Sequence, residues 1–171
     1  TGSQTSFTAG QTALITGVGS LTLNGDGGYT FDPADNYNGP VPVATYTTNT
    51  GASDTLTLTV TPVNDPTITA ADSNTTAEDI TLTVTAANGV LANDTDTDDT
   101  LTVASFTVDT GTGSQTSFTA GQTALITGVG SLTLNGDGGY TFDPADNYNG
   151  PVPIATYSTN TGASDTLTIT V

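Results

Sequence analysis

The run Asn93-Asp94-Thr95-Asp96-Thr97-Asp98-Asp99 sets carboxylates at alternate positions, Asp94, Asp96 and Asp98, on one side of a loop. Oxygen donors in that pattern suit a hard divalent cation. Ca2+ gathers about six to eight oxygens from carboxylates, amides, backbone carbonyls and water. The chain offers no counter-charge of its own: it has 17 acidic residues and no Lys, Arg or His, for a net charge of −17. Like charges held close together repel unless something neutralises them. The EF-hand loop begins similarly but needs Gly at its sixth position and Glu at its twelfth. Here those positions hold Asp99 and Ser105, so this is not an EF-hand.

The same composition excludes several functions. Without Lys or Arg there is no basic surface for nucleic acid and no polybasic membrane contact. No apolar run approaches the ~20 residues of a membrane span. Without His, Cys, Lys or Arg, only a carboxylate pair could catalyse, as in glycosidases. The carboxylates cluster in loops, where a cation is the simpler reading, so the chain is read as a non-enzyme. With no Cys, disulfides cannot staple the fold.

The elements that must position these residues are organised by a repeat. Shifted by 111 positions, residues 1–60 match residues 112–171 at 57 of 60 places. The changes are Val43 to Ile154, Thr47 to Ser158 and Leu58 to Ile169, all conservative in size and chemistry. A period of 111 residues is domain-sized and long enough to bury its own core. The organisation expected is the C-terminal half of one repeat (1–60), a linker (61–66) and a complete repeat (67–171).

LTLTV at 56–60, LTVASFTV at 101–108 and SLTL at 131–134 alternate apolar and small polar residues, the mark of half-buried strands. The 41 threonines, being β-branched, suit a pleated surface. The fold class predicted is all-β, an antiparallel sandwich of about seven strands per repeat. Strands are expected near 67–70 (A), 80–86 (B), 100–109 (C), 131–134 (D), 140–142 (E), 152–158 (F) and 165–171 (G). The 112–130 segment is either a wandering connection or an extra hairpin. Asn135-Gly136-Asp137-Gly138 is read as a hairpin turn. Tyr37 and Tyr148 stand near where a tyrosine corner would sit and are read as packed turn aromatics.

Strand parity then sorts the carboxylates. The B–C, D–E and F–G loops fall at the upstream end of the domain, beside the linker. The A–B, C–D and E–F loops fall at the downstream end. The acidic run 93–99 is therefore upstream, and Glu78, Asp79, Asp143 and Asp146 are downstream. The half-repeat offers Asp32, Asp35 and Asn36 at its own downstream end. The linker Pro62-Val63-Asn64-Asp65-Pro66 runs between, so three acidic groups are expected to converge on one junction.

The runs GVLANDTDTDDTLTV and SLTLNGDGGYTFDPADNYNG and the linker PVNDP resemble the cadherin-like, VCBS-type tandem repeats of giant bacterial RTX-type adhesins. The resemblance covers the whole period. It implies an Ig-like or cadherin-like "extender" sandwich, exported to the cell surface and stiffened by Ca2+ at its junctions. It also implies linker ligands Asn64 and Asp65, upstream ligands Asp94, Asp96 and Asp98, and downstream ligands Glu78, Asp143 and Asp146, with Asp32 and Asp35 in the first copy. One departure is Thr97, where the family loop carries Gly. The partners expected are neighbouring copies of the same repeat, with no nucleic acid and no membrane insertion. Two other readings stay open: a repeating subunit of an extracellular filament or sheath, and a sugar- or surface-binding module.

Overall fold

The structure is a computed structural model and describes residues 5–171. The chain divides into two compact units, Thr1–Asn64 and Asp65–Val171.

In the first unit the repeated sequence forms short antiparallel ladders. β1 (Thr12–Ile15), β2 (Gly19–Leu23) and β3 (Tyr29–Pro33) make a meander. β4 (Gly39–Pro40) pairs with β7 (Thr59–Val60), and β5 (Ala44–Thr47) pairs with β6 (Ser53–Leu56). Among the described residues this unit buries only Leu21 and Val41 as hydrophobic core.

The second unit is a two-sheet sandwich. Its strands are β8 (Asp72–Thr75), β9 (Leu82–Val84), β10 (Val103–Asp109), β11 (Gln115–Thr119), β12 (Thr123–Ile126), β13 (Gly130–Leu134), β14 (Tyr140–Pro144), β15 (Ala155–Thr159) and β16 (Ser164–Thr170). One sheet runs β11-β10-β15-β16-β8 and the other β12-β13-β14-β9. Every pairing is antiparallel except β16 with β8, which is parallel from Leu167–Asp72 to Thr170–Thr75. Alternate residues face inward, as the pleat requires: Leu132 and Leu134, Tyr140 and Phe142, Ala155 and Tyr157, Leu167 and Ile169. Along β10 the alternation skips a step between Val103 and Phe106. A bulge between Val103 and Ser105 inserts the extra residue that resets the face. Phe106 stacks on Phe118 with centroids 5.2 Å apart, which ties the edge strand β11 to the core.

The all-β sandwich matches the expectation, with two corrections. The strand expected near 67–70 lies at 72–75, and Ile68 makes only an isolated bridge to Thr95. The domain also has nine strands where seven were expected, because 112–130 is neither a wandering connection nor a self-paired hairpin. Its β11 joins one sheet and its β12 the other. The hairpin turn after β13 is present: the Asn135 amide donates to Gly139 O (2.8 Å) and the Gly138 amide to Asn135 O (3.0 Å). Gly138 sits at φ +85, in the left-handed region that favours glycine. Tyr37 and Tyr148 do more than pack. Each hydroxyl donates to a backbone carbonyl three residues ahead, Pro40 O and Pro151 O, at 2.6 Å.

Candidate metal centre

Two extra strands do not alter the parity, so the sorting of loops survives. At the upstream end the 86–102 segment and the first residue of β10 meet the 135–139 turn, through Val90 N to Gly138 O (3.0 Å) and Val103 N to Gly136 O (2.9 Å). It meets the 160–163 turn through Thr102 N to Asn160 Oδ1 (2.8 Å). Gly89 is needed for this approach, since a Cβ there would come within 2.1 Å of Gly138 O.

The carboxylates of the acidic loop have different tasks. Asp94 is buried, with 8% of its surface exposed. It accepts from the Ala70 amide (2.9 Å) and from the Tyr157 hydroxyl (2.8 Å). It thereby fastens the incoming segment to the centre of the sandwich. Burial and the Asp94 carboxylate push the Tyr157 hydroxyl well above the usual tyrosine range, so it stays a donor. Asp96 accepts from the Thr67 hydroxyl (2.5 Å) and from the Asp98 and Asp99 amides (2.9 and 2.8 Å). These bonds, the Thr67 hydroxyl first, hold its carboxyl below the ordinary value. Asp98 Oδ2 accepts from the Asp65 amide at 2.6 Å. The first residues of the domain are thus laced onto the loop at Asp98, Asp96 and Asp94 in succession. An open depression of about 440 Å³ lies alongside, walled by Asp94, Asp96, Asp99 and Asp137 with Leu91 and Leu101.

Beside this loop lies a residue the sequence did not single out. Asp72 Oδ2 is buried without a hydrogen-bond partner. Burial first, then the nearby Asp94 and Asp165 carboxylates, push the Asp72 carboxyl up to about 6, with the polar side chains of Asn93 and Tyr157 opposing the shift. Asp72 lies in the polar strand DSNT, where no hydrophobic alternation announces an inward face. Asn74 of the same strand donates to the Tyr140 hydroxyl at 3.1 Å.

At the downstream end the Asp79 carboxylate accepts from the Asn147 amide (2.8 Å), Glu78 from Asn149 Nδ2 (3.2 Å) and Asp143 from the Thr81 hydroxyl (2.5 Å). These bonds brace the β8–β9 loop against the end of β14 and the segment after it. Asp79 has a positive φ of 63, as Asp tolerates in turns. Asp146 lies in the turn that follows β14. In the first unit Asp32 is on β3, opposite Ser20, and Asp35 is in the turn that follows. Asn64 ends that unit and Asp65 begins the next. A further carboxylate, Asp109, closes the β10–β11 turn by accepting from the Gly111, Thr112 and Gly113 amides at 2.9 to 3.0 Å.

The donor chemistry at the upstream end fits a hard cation: carboxylates and carbonyls with no basic side chain to compete, and a buried carboxylate oxygen, Asp72 Oδ2, that lacks a donor. As placed, however, no group of three or more Asp or Glu gathers into a metal-holding set among the described residues. An ion there would draw on Asp96, Asp98 and neighbouring carbonyls.

The fold and its ends define a structural β-sandwich repeat. The bacterial cadherin-like domain family matches residues 64–171, and a cadherin-like domain family matches residues 4–64. The chain belongs to the bacterial cadherin-like domain family. These families are structural rather than enzymatic, and bacterial cadherin-like domains are typically extracellular. No curated protein and no solved structure matches the chain. Among the described residues no helix is long and apolar enough to cross a membrane.

Proposed function

We propose that the chain is a structural extender of a bacterial cell-surface adhesin, whose tandem copies project a distal binding domain and are stiffened by Ca2+. The observation that carries this reading is the lacing of the Asp65–Ala70 segment onto the acidic loop by Asp94, Asp96 and Asp98. A cation bound by Asp96 and Asp98 would neutralise that loop and hold the start of the domain to it. Asn64 and Asp65, and the downstream carboxylates Glu78, Asp143, Asp146, Asp32 and Asp35, complete the proposed ligand inventory of successive copies. Cadherin-like family membership, the near-identity of the repeated halves and the absence of counter-charge all support it. The proposed partners are neighbouring copies of the repeat, at the cell surface.

Calcium titration of the 171-residue chain tests the cation. Binding at ~100 times Kd adds about 2.7 kcal/mol of stability. For a domain of this size that is roughly 10 °C or more in Tm. Asp96→Asn with Asp98→Asn should abolish the gain. A Tm indifferent to millimolar Ca2+ and to EGTA would remove calcium from the proposal. Small-angle scattering of a longer tandem array tests extension separately, since a compact array in either condition contradicts the extender role.

A further inference from the structure

The second unit contains three Asn-Gly pairs: Asn88-Gly89, Asn135-Gly136 and Asn149-Gly150. In such a pair the glycine nitrogen, unshielded by a neighbouring Cβ, can attack the asparagine carboxamide. That nitrogen reacts only when its N–H is free of a carbonyl. The fold sets the three pairs apart on this point. The Gly89 amide donates to Ala86 O (3.1 Å) and the Gly150 amide to Val171 O (2.9 Å). Asn149 is held a second time, its Nδ2 donating to Glu78 Oε2 (3.2 Å). Among the described residues neither the Gly136 amide nor the exposed Asn135 carboxamide donates a hydrogen bond. The turn explains this. Gly136 follows Asn135 in a β-turn closed by Gly138 N to Asn135 O (3.0 Å), and the amide at that inner position points outward. Asp137-Gly138 could react by the same route, but its glycine amide is the one that closes the turn.

We propose that Asn135 is a self-modifying site, at which spontaneous deamidation makes aspartate and isoaspartate. The Gly136 nitrogen loses its proton to hydroxide and bonds to Asn135 Cγ. The Cγ–Nδ2 bond breaks and ammonia leaves, closing a succinimide ring. Water then opens the ring at either carbonyl. Both products place a carboxylate two residues from Asp137, a wall of the acidic depression. The iso product also adds a methylene to the main chain inside the turn. It displaces the Gly136 carbonyl, which accepts from Val103 N (2.9 Å), and so loosens the acidic loop's seat on the turn. This inference is independent of calcium and of the extender role.

Peptide mapping of the full chain tests it. Residues 20–31 and 131–142 are identical in sequence, so the chain carries Asn24→Gln to give the two copies peptides of different mass. After incubation at mildly alkaline pH, acid quenches the reaction, pepsin cuts the chain and mass spectrometry reads the amide-to-acid change at each site. Asn135 should convert ~10-fold or more faster than Asn88 and Asn149, the factor expected from a glycine amide that has no hydrogen bond to give up. In denaturant the three rates should come together. Gly136→Ala is accommodated, since its Cβ would meet nothing nearer than Val103 O at 3.7 Å. It should slow conversion at Asn135 and leave the melting transition unchanged. The proposal is overturned if Asn135 is not the fastest site in the folded chain, or if Gly136→Ala does not slow it. It is overturned equally if the rates stay apart in denaturant, since the fold would then not be what selects the site.

Discussion

Residues 5–60 and 116–171 are nearly the same polypeptide in two surroundings, and their differences isolate what surroundings contribute. The β1-β2-β3 and β12-β13-β14 meanders share register residue for residue, down to the Thr12–Thr22 and Thr123–Thr133 hydroxyl pairs at 2.8 and 2.7 Å. Local sequence is enough for these ladders. The β11 strand is different: TSFT at 116–119 pairs with β10, while the same letters at 5–8 form no strand. Likewise β16 runs from Ser164 to Thr170, whereas in the first unit its equivalent breaks into β6 and β7. Hairpins and turns are therefore written locally, and the outer strands and the core are written by the 65–111 half.

Paired substitutions sharpen this contrast. The largest difference should come from Phe142→Ala, which empties a fully buried site and should cost about 3–5 kcal/mol. Phe31→Ala should cost less than ~1 kcal/mol by denaturant unfolding, because no packed core surrounds it. Equal costs would mean that the first half is already closed. Next is Tyr157→Phe, which strips Asp94 of a hydroxyl donor inside the sandwich and should cost about 1–3 kcal/mol. Tyr46→Phe should leave stability unchanged within ~0.5 kcal/mol.

A smaller effect separates the units by pH. The Asp72 carboxyl titrates near 3.8 when unfolded and near 6 in the fold. The folded state holds this proton more tightly, so the group's stabilising contribution is fully present below about 3.8 and is lost as pH rises through about 6. Asp96 has the opposite sign: its lowered value stabilises at neutral pH, and that contribution fades in acid. The Tm difference between Asp72→Asn and the parent should therefore grow in favour of the variant from pH 4.5 to pH 7.5 (~ one unit or more either side of the transition). A difference that does not vary with pH would show that Asp72 is not held in this way. Smallest of all, Leu14→Ser and Leu125→Ser should each change stability by no more than ~0.5 kcal/mol, because both residues are exposed, at 80% and 73%.

The legible part of the fold follows from the same contrast. Alternating LTLTV, SFTV and SLTL segments gave away strands whose inward residues are apolar. Strand β8 escaped because its inward residues are polar: Asp72, whose Oδ2 is buried without a partner, and Asn74, which donates to the Tyr140 hydroxyl of a strand 66 residues away. β11 and β12 escaped because glycine, serine and threonine dominate 112–130, and each strand joins a different sheet. Parity placed Glu78, Asp79 and Asp143 together at one end and the acidic loop at the other. It could not foresee that Asp94 turns inward to become part of the core, a role set by Tyr157, 63 residues away.

The parallel pairing of β8 with β16 has a mechanical consequence. The first strand and the last strand of the domain lie side by side and point the same way. Tension applied through the two termini pulls β8 back along its own axis while β16 is drawn forward. The ladder from Leu167–Asp72 to Thr170–Thr75 is then loaded in shear, with its bonds strained together. A hairpin pulled from its open end would instead unzip one bond at a time. The four polar residues of DSNT thus form a clasp that a force along the two termini loads in shear.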